Sequence, residues 1–319
     1  MQIIKKFFKT KESAVIVMFA ALFLITAIIS PSILSYAQTI NLLRTISLSL
    51  LPAMGMVFVM TCSSIDLSAG SVLAFSGMLA GYAMTIWGWD PILAVLLALL
   101  VSVVIGAVNG FLIARWSLTP MIVTLGMQYV VRGFVNVITK GVAISDFPDS
   151  FVQIGQGKIG SIPNIIIIVV IIFVICLFVY NFTIFGRSII STGGNKETAR
   201  LAGVNVTGYI IAVHVVCSLL AGIAGILTTS RLGSAQANAG STTDMYAIAS
   251  AAVGGTSLMG GSGSMVGCLF GVGIMELITI SLTLIKVDVY WQRTVVGVIM
   301  IAAVFMDVYR RNSSKRSGS

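Results

Sequence analysis

The chain has 319 residues, of which 57% are hydrophobic and only 9% are charged. A soluble domain usually carries about 25% charged residues, so this composition excludes an ordinary soluble protein and predicts an integral membrane protein. The apolar runs are too long for a membrane β-barrel, so we expect an all-α, polytopic membrane helix bundle. The net charge of +9 comes from Lys and Arg at the ends of apolar runs, which indicates lipid headgroups and topology and not nucleic acid.

The apolar runs predict about ten transmembrane helices in a single domain that covers residues 1–319. The five expected in the first half are 14–29, 40–62, 69–86, 92–114 and 120–139. The five expected in the second half are 164–181, 209–230, 245–263, 265–285 and 294–307. The eighth of these runs is rich in glycine and small residues, so we expect a partly broken helix there.

The distribution of basic residues predicts the orientation of these spans. Ten spans place both termini on one side, and that side then holds twice as many Lys and Arg residues as the other. The richer side has Lys5, Lys6, Lys9, Lys11, Arg115, Arg187, Lys196, Arg200, Arg310, Arg311, Lys315 and Arg316; the other has Arg44, Lys140, Lys158, Arg231, Lys286 and Arg293. Basic loops stay in the cytoplasm, so both termini and the polar loop near residues 183–208 are expected there.

This central loop, residues 183–208, is a polar interruption in an otherwise apolar chain. Asn195 is a good N-cap, residues 196–202 are mostly helix formers, and Gly203 lies where a glycine ends helices. A helix of about two turns is unstable alone and is expected to pack on something. The small residues Ala199 and Ala202 share one face, which fits close docking on a partner. The residues alone also allow a solvated loop with one helical turn.

Few residues in the chain are suited to chemistry. The cysteines lie in apolar runs without metal or disulfide spacing, and no catalytic motif or phosphate-binding loop is present. We therefore expect no metal, no cofactor and no enzyme activity. The one histidine, His214, is interpreted as a packing residue, with a functional role as the alternative.

Four charged residues lie at membrane depth: Asp66, Arg132, Asp244 and Glu276. Charges there are costly and are expected to face protein or water, so these four are candidates for a solute translocation path. Asp66 is also well placed to cap the third helix, which we consider the simpler interpretation. Whether Glu276 pairs with His214 stays open. Glycines four residues apart, as at Gly106 and Gly110, indicate close helix packing.

Four stretches together resemble the permease subunits of bacterial ABC sugar importers, in their ribose, galactose and xylose branch. They are SIDLSAGSVLA at 64–74; NGFLIA at 109–114 with TPMIVTLG at 119–126; FGR at 185–187 with GGNKETARLAG at 193–203; and TSRLGSAQ at 229–236 with GGTSLMGG at 254–261. Their order and spacing match over nearly the whole chain.

The resemblance implies a permease dimer in the bacterial inner membrane, either homo- or heterodimeric. It also implies a cytoplasmic ATP-binding-cassette ATPase and a periplasmic solute-binding protein as partners. The solute would be a monosaccharide of the ribose type or a related polyol. The central loop would be the element that docks on the ATPase, with the residues Gly193, Gly194, Asn195, Lys196, Glu197, Ala199, Arg200, Ala202 and Gly203.

The chain departs from the family pattern at three places. Ser63 and Ser64 stand where the family usually has two glycines, and Tyr246 and Ser262 stand for an aspartate and an arginine. The last two changes together remove an opposite-charge pair, which would alter any solute or gating role there.

Two other functions compete with the permease interpretation. A self-sufficient secondary transporter or channel would normally need ion-coupling carboxylates, for which only Asp66 and Glu276 are candidates. An intramembrane enzyme is disfavoured because the sequence shows no nucleophile with an adjacent base.

Overall fold

A computed structural model describes residues 11–288, 290–292, 294–299, 301–302 and 305. The basic residues Lys5, Lys6 and Lys9 and the C-terminal tail lie outside the described residues, and the tenth predicted span, 294–307, lies partly outside them. The count of ten spans and the cytoplasmic termini therefore stay predictions.

The described chain is almost entirely helical, which confirms the predicted fold class. In order, the helices are α1 (Lys11–Ile29), α2 (Tyr36–Thr61), α3 (Ala69–Thr85), α4 (Pro91–Trp116), α5 (Pro120–Thr139), α6 (Asp149–Gln156), α7 (Asn164–Phe182), α8 (Ile184–Gly194), α9 (Lys196–Leu201), α10 (Val206–Leu232), α11 (Thr243–Val253) and α12 (Met265–Leu284). A 3-10 turn at Pro31–Leu34 joins α1 to α2, and the strands β1 (Lys158–Ile159) and β2 (Ile162–Pro163) form a small hairpin. Seven of the described helices are long and apolar enough to cross a membrane, namely α1, α2, α4, α5, α7, α10 and α12.

Two helices in the apolar region are shorter than a full span. Helix α3 has 17 residues and begins after an irregular segment, 62–68. Helix α11 has 11 residues, about 17 Å of rise, which is roughly half of a hydrocarbon core. The helix expected at 245–263 is therefore broken after Val253, as predicted, while its count as a membrane span stays a prediction.

Helix α10 lies at the centre of the bundle and packs on α4, α3 and α2. Backbones come close where glycines provide room, as the glycine spacing predicted. A Cβ atom added at Gly106 of α4 would lie 2.5 Å from the His214 carbonyl oxygen of α10. One at Gly110 would lie 2.5 Å from the Cα of Ile211. In a membrane, such contacts supply packing energy that the hydrophobic effect cannot.

The bundle has two ends, which are named here by the segments that they carry. The 183–205 end holds α8 and α9, and the loop 254–264 packs against it, since Gly193 and Gly194 contact Gly260 and Gly261. The 140–163 end holds α6 and the hairpin, and the Tyr36 hydroxyl donates there to the Ser161 carbonyl, 2.6 Å away.

The glycine contact at Gly106 yields a stability prediction. In Gly106→Ala the new methyl group would overlap with the His214 carbonyl and with Ser218, so we expect a loss of about 1–3 kcal/mol, measured as a lower Tm in detergent. Gly126→Ala is the matched control, because nothing lies within 4 Å of an added Cβ there. Equal Tm values for the two variants would contradict the packing.

Candidate functional site

The backbone leaves the helical conformation between α2 and α3, and Asp66 lies in this break. Its Oδ1 accepts hydrogen bonds from the backbone N–H of Ser68 at 2.9 Å and from the Ser68 hydroxyl at 2.6 Å. Ser68, not Asp66, occupies the N-cap position of α3. The expectation that Asp66 is the N-cap was therefore wrong, because the helix begins only at Ala69 and the Asp66 carboxylate binds the N-cap residue itself.

The other oxygen of Asp66 belongs to a network that is entirely buried. Nδ1 of His214 lies 3.0 Å from Asp66 Oδ2, and Nε2 lies 2.9 Å from the hydroxyl of Ser64. From α4, the side-chain amide of Asn109 donates to Ser68 Oγ at 2.9 Å. This answers the question left open by the sequence: His214 pairs with Asp66 and not with Glu276.

Helix α5 supplies a hydrogen-bond partner for a backbone N–H group in the break. The backbone N–H of Leu67 donates to Thr124 Oγ1 at 3.1 Å, and Thr124 is fully buried. Side chains from α4, α5 and α10 thus converge on residues 64–68. A break in a membrane helix needs such partners because no water is present to satisfy its backbone.

The order Ser64–His214–Asp66 has the connectivity of a hydrolytic triad, so a nucleophile and a base do lie together. The premise that the chain lacks such a set was wrong, because the two residues lie 150 positions apart in sequence. His214 and Asp66 have no exposed surface and Ser64 is 4% exposed. A substrate cannot reach the hydroxyl, so the network is interpreted as structural.

Arg132 of α5 reaches across to the segment before α11. One guanidinium nitrogen donates to the carbonyls of Ala237 and Ala239 at 2.6 and 2.8 Å, and the other donates to the carbonyl of Gly70 at 3.2 Å. The side chain therefore does not point into lipid. It fixes the loop 237–239 and the start of α3 against α5.

Asp244 and Glu276 occupy separate places. Asp244 is buried in the first turn of α11, and its Oδ1 would lie 3.4 Å from a Cβ at Gly70, near Arg132. Glu276 is buried in α12 and accepts a 2.6 Å hydrogen bond from Ser49 of α2. The four charged residues predicted for a path therefore do not form one cluster.

The short helix predicted in the central loop is confirmed as α9. Asn195 Oδ1 accepts from the backbone N–H groups of Glu197 and Thr198, each at 3.0 Å. Gly203 has a φ of +81°, the left-handed conformation of a helix-ending glycine. Arg200 and Glu197 form an exposed ion pair at 3.4 Å.

The prediction that Ala199 and Ala202 form a docking face on this helix was wrong for Ala199. Ala199 is only 4% exposed because it packs into the apolar core of its own chain, whereas Ala202 is exposed. The sequence reasoning missed Leu201, which is 82% exposed on the same helix. It also missed α8, the helix that precedes Asn195. A single large apolar side chain in a helix of otherwise polar and small residues was the available signal.

Helix α8 ends on a contact between three chain segments that leaves no room for side chains. Gly193 packs on the Thr61 carbonyl at the end of α2, and that carbonyl accepts a 2.9 Å hydrogen bond from Gly261. A Cβ at Gly260 would lie 2.8 Å from the Gly193 carbonyl oxygen. We call this contact of Thr61, Gly193, Gly260 and Gly261 the glycine junction.

The positions of Tyr246 and Ser262 are separated by most of α11. Tyr246 lies in the first turn of this helix, while Ser262 lies in the loop after its end, where its carbonyl accepts from Ser257. About 10 Å of helix separates Tyr246 from the end of α11 at Val253. The two positions therefore lie towards opposite ends of α11, and the removal of one charge pair stays a prediction.

Within the described residues, no group of three or more His, Cys, Asp or Glu side chains could hold a metal ion. The four cysteines, Cys62, Cys176, Cys217 and Cys268, are buried free thiols.

The seven candidate spans, with two interrupted segments between them, define the chain as a polytopic α-helical membrane protein. The family model described as "Branched-chain amino acid transport system / permease component" matches residues 38–304, and the chain belongs to this family. It is therefore a transport component and a multi-pass protein of the bacterial inner membrane, not an enzyme. Its relatives, which carry the names of sugars, show that it is of the sugar ABC permease type. In this family an ATPase and a substrate-binding protein are the general partners.

Several relatives are named after sugars. The chain is 38% identical to the ribose import permease protein of Bacillus subtilis (strain 168), over 90% of this chain and 89% of the relative. It is 37% identical to the D-allose transport system permease protein of Escherichia coli (strain K12), over 82% and 80%. It is 30% identical to the xylose transport system permease protein of the same strain, over 86% and 85%. No solved structure matches the chain.

The buried network yields a stability prediction. It compares the loss of the Ser64 hydroxyl, which bonds to another helix, with the loss of a buried serine hydroxyl that bonds within its own helix. Ser64→Ala would leave His214 Nε2 without its hydroxyl partner, so we expect a loss of about 1–3 kcal/mol, seen as a lower Tm. Ser47→Ala is the matched control, because the buried Ser47 hydroxyl bonds only to its own helix at Leu43. A serine-reactive fluorophosphonate should not label Ser64, and labelling would contradict the sealed network.

Proposed function

We propose that this chain is the permease subunit of an ABC importer and forms the translocation path for a small polar solute. It acts as a single transmembrane domain, and a separate cytoplasmic ATPase subunit hydrolyses the ATP. The observation that carries this proposal is the exposed apolar side chain of Leu201 on a capped helix at one end of the bundle.

The proposed solute is a monosaccharide of the ribose type or a related polyol. Support comes from relatives that carry the names of ribose, allose and xylose and that align with most of this chain. A neutral solute also fits the charged groups inside the bundle, because Asp66 and Arg132 are already bonded to protein groups and are not needed to bind an ionic solute.

The proposed docking element for the ATPase is the coupling loop at 183–208. Leu201 would enter an apolar groove on the partner, and the charged side chains of Lys196, Glu197 and Arg200 would lie at its rim. Burying a leucine stabilises a contact by about 1.5–3 kcal/mol, whereas the exposed Glu197–Arg200 pair adds little. Ala202 is also exposed towards the partner, while Ala199 holds the helix to its own bundle.

The glycine junction supports a route from this docking element to the membrane interior. Gly193 of α8 touches the carbonyl of Thr61, and residue 61 ends the helix that leads into the break at 62–68. Backbone packed on backbone cannot yield by rotating a side chain. A shift of α8 and α9 on ATP binding would therefore displace the break and the loop 254–264 together.

The remaining partners and the path are further parts of the proposal. A second permease subunit, identical or related, completes the channel, and a periplasmic solute-binding protein delivers the solute at the 140–163 end. Of the four charged candidates, Arg132 borders the path, whereas Asp66, Asp244 and Glu276 are buried and support its walls.

The proposed orientation predicts which end reacts with a membrane-impermeant maleimide. Lys196→Cys should react only after the cells are permeabilised, because the 183–205 end is cytoplasmic. Ser161→Cys, at the opposite end, should react in intact cells. The native cysteines are buried and give little background. Labelling of Lys196→Cys in intact cells would overturn this orientation.

The docking proposal predicts a selective defect for Leu201→Ser. Association with the ATPase should weaken about ten- to hundredfold, because the burial of the leucine is lost. Uptake of D-ribose should fall in parallel, while the Tm of the permease stays unchanged. These quantities are measured by co-purification with the ATPase, by transport in proteoliposomes and by thermal unfolding.

Ile159→Ser is the matched control for Leu201→Ser, since Ile159 is 68% exposed in the hairpin at the other end. It should leave ATPase association intact. Ala199→Trp is not a clean test, because a buried alanine cannot accommodate an indole without disturbing the chain itself. Normal ATPase association of Leu201→Ser would show that α9 does not dock as proposed.

A further inference from the structure

Helix α5 carries two polar side chains, Gln128 and Asn136, that take no part in the contacts described above, and Arg132 lies between them on the same face. Gln128, Arg132 and Asn136 follow at intervals of four residues and so lie on one side of the helix. They lie about 12, 18 and 24 Å along the rise from Pro120, which covers the middle and the far half of a hydrocarbon core. The neighbouring exposed positions Tyr129 and Phe134 are aromatic.

This polar face forms one wall of a groove with a volume of about 670 Å³. The opposite wall is the segment before α11, with the side chains of Gln236, Asn238 and Ser241. Small-molecule sites commonly have volumes of about 300–1,000 Å³, so a small solute fits. We call this cavity the amide groove.

Arg132 explains how the two walls come together. Its guanidinium bonds to the carbonyls of Ala237 and Ala239, which places Gln236 and Asn238 opposite α5. Three of its five N–H groups are thereby engaged with carbonyls. Arg132 is thus a positioning residue for the groove, and most of its N–H donors are not free to anchor an anion.

The chemistry of the lining indicates the class of solute. Carboxamide and hydroxyl side chains both donate and accept hydrogen bonds, which matches the hydroxyl groups of a sugar or polyol. No carboxylate lines the described walls of the groove, so a cation would find no counter-charge there. Uncharged amides at membrane depth do not face lipid stably, so they are expected to face protein or water.

We propose that the amide groove is a solute-contact site in the translocation path and binds neutral, hydroxyl-rich small molecules. Gln128, Asn136, Gln236, Asn238 and Ser241 supply its hydrogen bonds. This inference rests on the proposed transport function, and it states where in the chain the solute is bound during transport. The binding energy is spread over several weak hydrogen bonds, which suits a site that must release its solute.

The first test compares uptake by variants of the complete importer in proteoliposomes, with labelled D-ribose as the probe. The double variant Gln128→Met, Asn136→Leu keeps the side-chain volumes but removes two amides, so we expect uptake to fall by about tenfold or more. Its Tm and its association with the ATPase should equal those of the wild type. Tyr129→Phe is the control, because it removes a polar group of the same helix outside the groove and should transport normally.

The second test asks whether the groove holds water, and it needs no knowledge of the solute. Thiols react with a water-soluble maleimide only where water reaches them. Gln128→Cys should react, while Tyr129→Cys, at nearly the same depth and 74% exposed on the outer surface, should react much more slowly.

The two tests separate failure of the inference from failure of the proposed function. Uptake by the double variant within twofold of the wild type would overturn the amide groove as a solute site, as would equal reactivity of the two cysteine variants. If the wild-type importer takes up none of D-ribose, D-allose and D-xylose, the proposed solute class is wrong. The maleimide comparison then still decides whether the groove is part of an aqueous path.

Discussion

The unwound backbone between α2 and α3 is the constraint on which the rest of the bundle depends. Inside a membrane each exposed peptide group must find a partner in the protein, at a cost of several kcal/mol if it does not. Asp66 and Thr124 accept the N–H groups of Ser68 and Leu67, and His214 holds the carboxylate of Asp66. Helices α4, α5 and α10 pack around this break because their polar side chains provide the hydrogen-bond partners that it needs.

The serine pair before Asp66 has a physical consequence. Ser63 has a φ of +56°, a left-handed conformation that costs a residue with a Cβ about 1–2 kcal/mol, so glycine is the natural occupant. Ser64 instead gains the 2.9 Å contact with His214, worth about 0.5–1.5 kcal/mol. The second serine thus offsets part of the strain of the first, and it also ties the break to α10.

The features that were predictable from the sequence are local ones. Continuous apolar runs predicted the ends of α5 and α7 almost to the residue. The N-cap Asn195 and the helix-ending Gly203 predicted α9, because capping depends on neighbours in the chain. The network of Asp66 and His214 was not predictable, since its partners lie 148 positions apart. The burial of Ala199 was missed for the same reason: a helix of six residues shows which side chains are small but not which side meets the bundle.

The glycine junction and the buried network lie at the two ends of one short segment. Thr61 bonds to Gly261 and packs on Gly193, and only three residues later Ser64 contacts His214. A segment this short, held at both ends, does not absorb a displacement by bending. Under the proposed function, movement of α8 must therefore either carry the network with it or break the Ser64–His214 contact. Because a broken contact would leave a buried imidazole unpaired, joint movement of the break and α10 is the lower-energy response.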